Sequence, residues 1–560
     1  MDLDMMRGNP FFLDDEAVSW VQETKSSMTL REKIGQVFIP ICTDYSEKNI
    51  QRLLHYKPGG IHQFLGTDPE TLRETTKILQ KNTSIPLLMT ADIEFNIANM
   101  LPQGTRLPMQ LGVAATGDVA MARRMGIIAG REGRYCGFNW SFTPSVDISY
   151  NLQSPVAGNF SFGDSPENVT AMATEFIKGM QSQGVAACAK HWPGDGMDDR
   201  DHHLVTSRNP MDMKQWRKTY GKVYQAVIDA GVRTIMSTHI TLPAYYREKY
   251  PKITADRIFP GSISKELNLD LLRKELGFDG LIVSDATSMA GLTSQGRRSE
   301  IVPLVIENGC DVFLFSIDDD LDHAFLMKGA ESGLLSMERL EDAVTRVLAL
   351  KASLGLHKEQ KEGDFLPPDS EKKSYIRSKD HIAWETEIAE KSITLVKDTQ
   401  HLLPLTPEKH RKILFINGMI KDPEDSGPPL LIPALLEDAG FEVSEYGEET
   451  FVDPDIFDVI LYLAANQPGY FKGSYRINWN KMQQGYAKGM SRYWHLISTI
   501  FISMGNPYHL YEIPRCKTYI NAYSPIEPVQ RALVDAILGK KPFLGQSPVD
   551  PFCGLEEARL

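Results

Sequence analysis

The sequence predicts an α/β protein in two parts, a (β/α)8 TIM-type barrel followed by a smaller α/β layered-sheet domain. Three observations carry this. Eight short apolar runs can be counted before residue 316, and most are separated by stretches with helical periodicity. The spacing of these units suits a closed barrel of parallel strands. After Leu356 the composition shifts into residues 357–380, HKEQKEGDFLPPDSEKKSYIRSKD, which are charged, contain Pro-Pro and show no periodicity.

In chain order, Thr29-Leu-Arg-Glu32 forms a capping box that opens a short helix, since the Thr hydroxyl and the Glu carboxylate can each satisfy an orphan amide of the first turn. Strand candidates follow at 37–41, 60–64, 86–91, 139–142, 185–189, 234–237, 280–284 and 311–315. Between them, residues 169–183 place Met172, Phe176 and Met180 on one helical face, and residues 213–230 do the same with Trp216, Tyr220, Val223 and Val227. Both stripes read as core packing. An open doubly wound sheet is the competing architecture; no GxGxxG or Walker sequence follows any strand, which disfavours its nucleotide-binding form. The expected domains are therefore 1–356 for the barrel, 357–380 for a linker and 381–560 for the second domain. That domain shows a helix over 382–391, strands over 413–416, 459–464, 500–503 and 518–522, and a last helix over 528–538.

Composition narrows the function. With 42% hydrophobic and 24% charged residues, the chain can bury a large core. A net charge of −13 argues against nucleic acid or an anionic membrane as partner. The six cysteines are widely spaced with no CxxC pair, so no zinc site and no disulfide framework is expected, and neither is any other cofactor. The acidic N-terminus lacks a signal pattern and no run reaches transmembrane length, so the expected setting is the cytoplasm.

The chemistry gathers where strands end, because the carboxyl ends of barrel strands form the functional rim. Strand three ends in Asp92, strand four is followed by Asp147, strand five runs into Lys190-His191, strand six into Thr238-His239, and strand seven ends in Asp285. Carboxylates and a Lys/His pair converging on one mouth suit a polyhydroxylated ligand such as a carbohydrate. A helix cap is the plainer reading for Asp147. Residues 190–203, KHWPGDGMDDRDHH, pack charges, three histidines and two glycines into one loop. There, Asp201 stands two before His203, close enough to orient its imidazole. Asp285 follows a run apolar on both faces, so its carboxylate is rigidly presented, as a nucleophile at an anomeric carbon must be. His203, on a loop able to close over substrate, could donate and then withdraw the proton that a retaining glycosidase needs.

At these residues the chain resembles glycoside hydrolase family three, in particular its bacterial β-N-acetylhexosaminidase branch. The resemblance rests on KHWPGDGMDDRDHH at 190–203, GLIVSDATSM at 280–289 and NWSFTPSVDI at 139–148, with EIAEKSITLVKD at 387–398 and SMGNPYHL at 503–510 extending it over the second domain. It implies an exo-acting, retaining β-glycosidase. In that reading Asp285 is the nucleophile and His203 the acid/base, held by Asp201 in an Asp-x-His dyad whose middle residue is His202. Lys190, His191 and Asp92 would bind sugar hydroxyls, and Asp147 and His239 would line the same site. Three family arginines are replaced, by Phe160 in the stretch GNFSF at 158–162 and by Ile97 and Met100 after Asp92. A guanidinium fork is not reproduced by a phenyl ring or a thioether, so the sugar or its substituents should differ, with Phe160 offering apolar contact.

Other readings stay open. The same site could pass the glycosyl group to phosphate, because a neutral histidine does not repel an incoming dianion as a carboxylate would. A glucosidase or xylosidase would also fit an altered sugar site. A non-catalytic sugar-binding protein and a metal hydrolase on His191, His202 and His203 are rivals of other classes. The second domain could cover the mouth, brace the barrel or mediate a homodimer.

Overall fold

A computed structural model describes residues 3–63, 68–94, 103–419, 429–466 and 476–560. Two compact units are present. The first comprises 1–105, 123–148 and 169–379, and the second 106–122, 149–168 and 380–560.

In the first unit eight parallel strands close on themselves. They are β1 (Phe38–Ile39, continued by Ile41–Cys42), β2 (Gly60–Gln63), β3 (Leu88–Ala91), β4 (Trp140–Ser141), β5 (Cys188–Trp192), β6 (Thr234–Ser237), β7 (Leu281–Ser284) and β8 (Phe313–Leu314). Pairing runs β1–β2–β3–β4 and β5–β6–β7. Single bridges, Trp140 to Ala186 and Val283 to Val312, join β4 to β5 and β7 to β8. Phe38 pairs with Phe313 and Ile39 with Leu314, sealing β8 to β1. All eight expected strands are present, displaced by a few residues. They read as apolar runs because each is buried on both faces, inside the barrel and under the helices.

The helix expected over 213–230 is two helices, Met213–Lys218 and Tyr220–Asp229, meeting at Thr219. Its stripe is core: Trp216, Tyr220, Val223 and Val227 are all fully buried. Trp192 of β5 packs edge-on against Trp216 and Tyr224 at ring distances of 5.6 and 4.8 Å. The capping box at Thr29 and Glu32 is formed.

The second unit holds a six-stranded sheet: β9 (Thr394–Asp398), β10 (Lys412–Gly418), β11 (Glu442–Glu445), β12 (Val459–Ala464), β13 (Ser498–Ser503) and β14 (Thr518–Asn521). Their spatial order is β9-β14-β13-β12-β10-β11, parallel except for β9. Alternate residues feed two cores. Phe415, Leu461 and Ile502 face one, and Ile416, Tyr462 and Phe501 the other.

Two boundaries differ from expectation. Residues 106–122 and 149–168 group with the sheet rather than the barrel. Asn159 donates to the Gly505 carbonyl at 2.9 Å, and Leu111 and Ala115 pack with Tyr508, Tyr523 and Val549. Nor is 357–380 a tether. It carries the helices Leu356–Glu362 and Lys372–Tyr375, and Arg73 binds the Pro367 carbonyl and the Asp369 carboxylate. Its charges are ion-pair partners of the barrel surface, which is why it shows no apolar periodicity. Among the described residues no helix is long and apolar enough to cross a membrane.

Candidate active site

The site is built on the ends of β3, β5 and β7. Lys190 and His191, expected just beyond a strand, are its continuation. A register irregularity between Ala189 and Trp192 interrupts the alternation of β5. Both side chains therefore engage polar groups, although they are neighbours in sequence. Lys190 Nζ reaches the Glu94 carboxylate and lies 3.3 Å from Asp92 Oδ1. Burial pulls the ammonium down, but Glu94 and Asp92 hold it above its ordinary range. Asp92 keeps 34% of its side chain exposed, as a ligand-facing group would. His62, on β2, stands behind it, 3.7 Å from Asp92 Oδ2, and burial pushes its imidazole down to about 3. The segment that holds Ile97 and Met100 lies outside the described residues.

His191 is set by Asp147. Its Nδ1 is 2.6 Å from Asp147 Oδ2, which also accepts from the Ser145 hydroxyl at 3.0 Å. Asp147 Oδ1 accepts the amides of His191 and Asp195 at 3.1 and 2.8 Å. Burial raises this carboxyl, yet His191 and the two amides leave it below the carboxylate range. Asp147 is wholly buried, and both of its carboxylate oxygens are engaged by the His191 ring, the Ser145 hydroxyl and two amides.

Asp285 follows β7 as expected. Its Oδ1 accepts the Ala286 amide at 2.7 Å. Its Oδ2 has no hydrogen-bond partner among the described residues, although His202 Nε2 lies 3.3 Å away, close enough for an ion pair but not aligned for a hydrogen bond. Burial raises the carboxyl, but His202, then His239 and His191, hold it well below its usual range. His202, the middle residue of the dyad, is thus brought against the expected nucleophile. Its Nδ1 is 2.7 Å from Asp195 Oδ2, and its ring stacks on His203 at 4.4 Å and 21°. Burial lowers this imidazole, but Asp195 and Asp285 push it up to about 10.

The dyad forms: His203 Nδ1 is 2.5 Å from Asp201 Oδ1, which also accepts the His203 amide at 2.9 Å. Burial and the charge of His202 lower the His203 imidazole below its ordinary value, against the pull of Asp201. The Nδ1–H donated to Asp201 leaves Nε2 as the nitrogen able to exchange a proton.

The loop carrying the dyad is tied down rather than open. The Ala290 amide donates to the His203 carbonyl at 3.0 Å, and Tyr220 Oη to the Asp195 carbonyl at 2.5 Å. Gly291 passes so close that a Cβ there would stand 2.3 Å from the His202 carbonyl oxygen. At Gly194, φ is +117°, and a Cβ would meet the Tyr220 ring at 2.3 Å.

His239 departs from expectation. It is fully buried, with Nδ1 2.8 Å from Ser262 Oγ and Nε2 3.0 Å from the Ala286 carbonyl. Both nitrogens are committed inside the protein, one of them at the Asp285 turn. Phe160 lies in the second unit, buried in the turn Gly158–Phe160. Sequence reasoning missed Glu94, His62 and Asp195. Glu94 stands two after Asp92, a spacing that could have shown it. His62 lies within an expected strand and gave no signal.

His191, His202 and Asp285 each bring a donor atom within 4.8 Å of the others. The Nδ1 of both histidines is taken by a carboxylate, and His202 sits between two. That arrangement favours a bound proton, and no metal is assigned to it.

Comparison with known proteins agrees with this architecture. The model described as the glycosyl hydrolase family 3 N terminal domain matches residues 29–350. A beta-N-acetylglucosaminidase/beta-glucosidase of Cellulomonas fimi is 39% identical over 574 aligned positions, covering 98% of this chain and 99% of that protein. A beta-hexosaminidase of Nitrosomonas eutropha is 30% identical over 300 positions, 51% of this chain and 82% of its own. The solved structure of the beta-glucoside phosphorylase BglX superposes with a TM-score of 0.93 at 35% identity, over all of that chain and of this one. A strand-closed barrel with its ionisable groups at the carboxyl rim, a family model over most of that barrel and a relative matched along its full length together mean that this chain belongs to glycosyl hydrolase family 3.

Proposed function

We propose that this glycoside hydrolase is an exo-acting, retaining β-glycosidase of the β-N-acetylhexosaminidase type, acting on a terminal β-linked N-acetylglucosamine or glucose. The carrying observation is the state of Asp285: one oxygen pinned by an amide, the other without a hydrogen-bond partner, on a carboxylate held ionised in a buried site. Such an oxygen is ready to bond to an anomeric carbon.

In this mechanism Asp285 Oδ2 attacks the anomeric carbon while His203 Nε2 gives its proton to the departing glycosidic oxygen. A glycosyl ester on Asp285 results. His203, now neutral, takes a proton from the incoming acceptor, whose oxygen displaces the carboxylate. Asp201 holds the imidazole in one tautomer throughout. Lys190, Asp92 and His191 bind sugar hydroxyls. A homodimeric assembly and a cytoplasmic setting belong to this proposal too.

A second reading concerns the acceptor. The dyad supplies a histidine where a carboxylate would repel an anion, and the imidazolium of His202 lies beside it, so phosphate is an admissible acceptor. The beta-glucoside phosphorylase BglX, 35% identical over the whole chain, favours testing it. The purified protein is given 4-nitrophenyl β-N-acetylglucosaminide, β-glucoside and β-xyloside, each with and without inorganic phosphate. Free sugar alone supports hydrolysis; glycosyl phosphate formed in proportion to added phosphate supports phosphorolysis. If Asp285→Asn cleaves the best of these as fast as the wild type, the proposed nucleophile is wrong.

A further inference from the structure

His202 has no part in the mechanism above, yet it lies against both groups that react, Asp285 and His203. Its two ring nitrogens face two carboxylates, Asp195 Oδ2 at 2.7 Å and Asp285 Oδ2 at 3.3 Å. Its ring face lies on His203 at 4.4 Å, and His191 stands 4.9 Å away on the other element that packs here. It is completely buried, and the Ala290 amide and the close approach of Gly291 fix the backbone around it. Asp195 is itself anchored through its own main chain, with its amide on Asp147 and its carbonyl on Tyr220. Asp147, Asp195, His202 and Asp285 thus follow one another from the turn after β4 to the end of β7, through hydrogen bonds at the first two steps and an ion-pair approach at the third.

We propose that His202 is a positioning residue: fixed between Asp195 and Asp285 and stacked on His203, it couples the ionisation of the nucleophile to that of the acid/base. The proposal rests on the functional reading given above for Asp285 and His203.

Two consequences follow from the charges that surround this ring. Asp195, Asp201, Asp285 and, behind His191, Asp147 are the anions; His203, His191 and His239 are the other titratable rings; Lys190 is the cation beyond them. A proton kept on His202 faces the anion of Asp285 and so favours the ionised nucleophile. The same proton lies beneath the ring of His203 and opposes a second one there, which makes protonated His203 a stronger acid. When the glycosyl ester forms, Asp285 loses its charge and His202 keeps only Asp195 as counterion. The proton on His202 is then less firmly held. No new bond is required of His202; it acts through the two groups that do react.

The test is the pH dependence of kcat/KM for an aryl β-glycoside in wild type, His202→Gln and Asp195→Asn. Glutamine keeps hydrogen-bonding capacity without the charge. Both limbs of the bell, the lower from Asp285 and the upper from His203, should move to higher pH in His202→Gln by about one unit or more. Asp195→Asn keeps the ring but removes one of its anions, and should move both limbs the same way by less. It serves as the second variant if His202→Gln does not fold. A lowered kcat with unmoved limbs in a folded variant would show a merely structural His202 and overturn the proposal, as would limbs moving in opposite directions. Labelling with a 2-deoxy-2-fluoro glycoside, read by mass spectrometry of the peptide holding Asp285, separates the two failures. A label on another residue sinks the mechanism itself. A label on Asp285 with unmoved limbs sinks only the role of His202.

Discussion

Asp147→Asn isolates what a buried carboxylate does for the histidine it holds. In the native site Oδ1 takes two amides, at 3.1 and 2.8 Å, while Oδ2 takes His191 Nδ1 at 2.6 Å and the Ser145 hydroxyl at 3.0 Å. Asparagine fits the same space, and its carbonyl oxygen can keep both amides. Its NH2 then replaces Oδ2, so it donates where an acceptor stood. His191 must present a bare Nδ1 and move its proton to Nε2, the nitrogen turned away from residue 147. One charge-assisted hydrogen bond is lost and one tautomer reversed. Hydrogen bonds to charged groups contribute about 1.5–3 kcal/mol, so kcat/KM should fall about 10- to 150-fold. The fold should survive, because the buried amides stay paired. Steady-state kinetics on an aryl β-glycoside, with thermal unfolding as control, gives the answer. Unchanged kcat/KM in the folded variant would refute the claim that Asp147 orients a working His191. Asp147→Ala strands two buried amides and should instead lower stability by a few kcal/mol.

His203→Ala should lose about 10²- to 10⁴-fold in kcat/KM on a glycoside with a poor leaving group and far less on a dinitrophenyl glycoside, which leaves without protonation; equal losses on both would remove His203 from the acid role. Gly291→Ala should cost activity as well as stability, because its Cβ would sit 2.3 Å from the His202 carbonyl and displace the ring next to Asp285; kinetics after a thermal-shift control will show whether the loss is local. Asp311 is wholly buried beneath Ile282 of β7, accepting from Arg273 at 2.6 Å, Arg339 at 2.5 Å and the Ile282 amide at 2.7 Å; Asp311→Ala should destabilise the barrel by about 3–5 kcal/mol in chemical unfolding. His202 holds its proton up to about 10, above the ordinary histidine value, so its stabilisation is complete below about 6.5 and lost as pH rises through about 10. Wild type should therefore lose stability across that window more steeply than His202→Gln, as read from denaturation midpoints.

What could be read in the sequence follows from what each segment buries. β7 is legible because all four of its residues are buried, leaving the apolar run Leu281-Ile-Val just ahead of Ser284 and Asp285. β11, Glu-Val-Ser-Glu, was not: as the sheet's outer strand it exposes most of its side chains, and nothing apolar marks it. The end of β5 was misread as loop because Lys190 and His191 are polar inside a strand, which only a pocket of carboxylates permits. The Asp-x-His spacing exposed Asp201 and His203, since two residues of one loop can orient each other locally. The contact of His202 with Asp285 spans 83 positions and that with Asp195 seven, separations at which spacing carries no information about contact. His239 and Asp147 read as ligand-facing groups because a strand end is where such groups occur. Whether a side chain turns toward the mouth or back into the packing is settled by neighbours the sequence does not align.

The seam between Phe38 and Phe313 sets the order of events during synthesis. The first staves of this cask are made long before the last, and the hoop cannot be drawn tight until residue 314 has left the ribosome. Until then the apolar margins of β1 and of whichever strand was made most recently lie uncovered, open to a helper protein or to another unfinished copy. A chain cut short before β8 would therefore lack more than one strand; it would have no enclosed cavity in which Asp285 could stand dry.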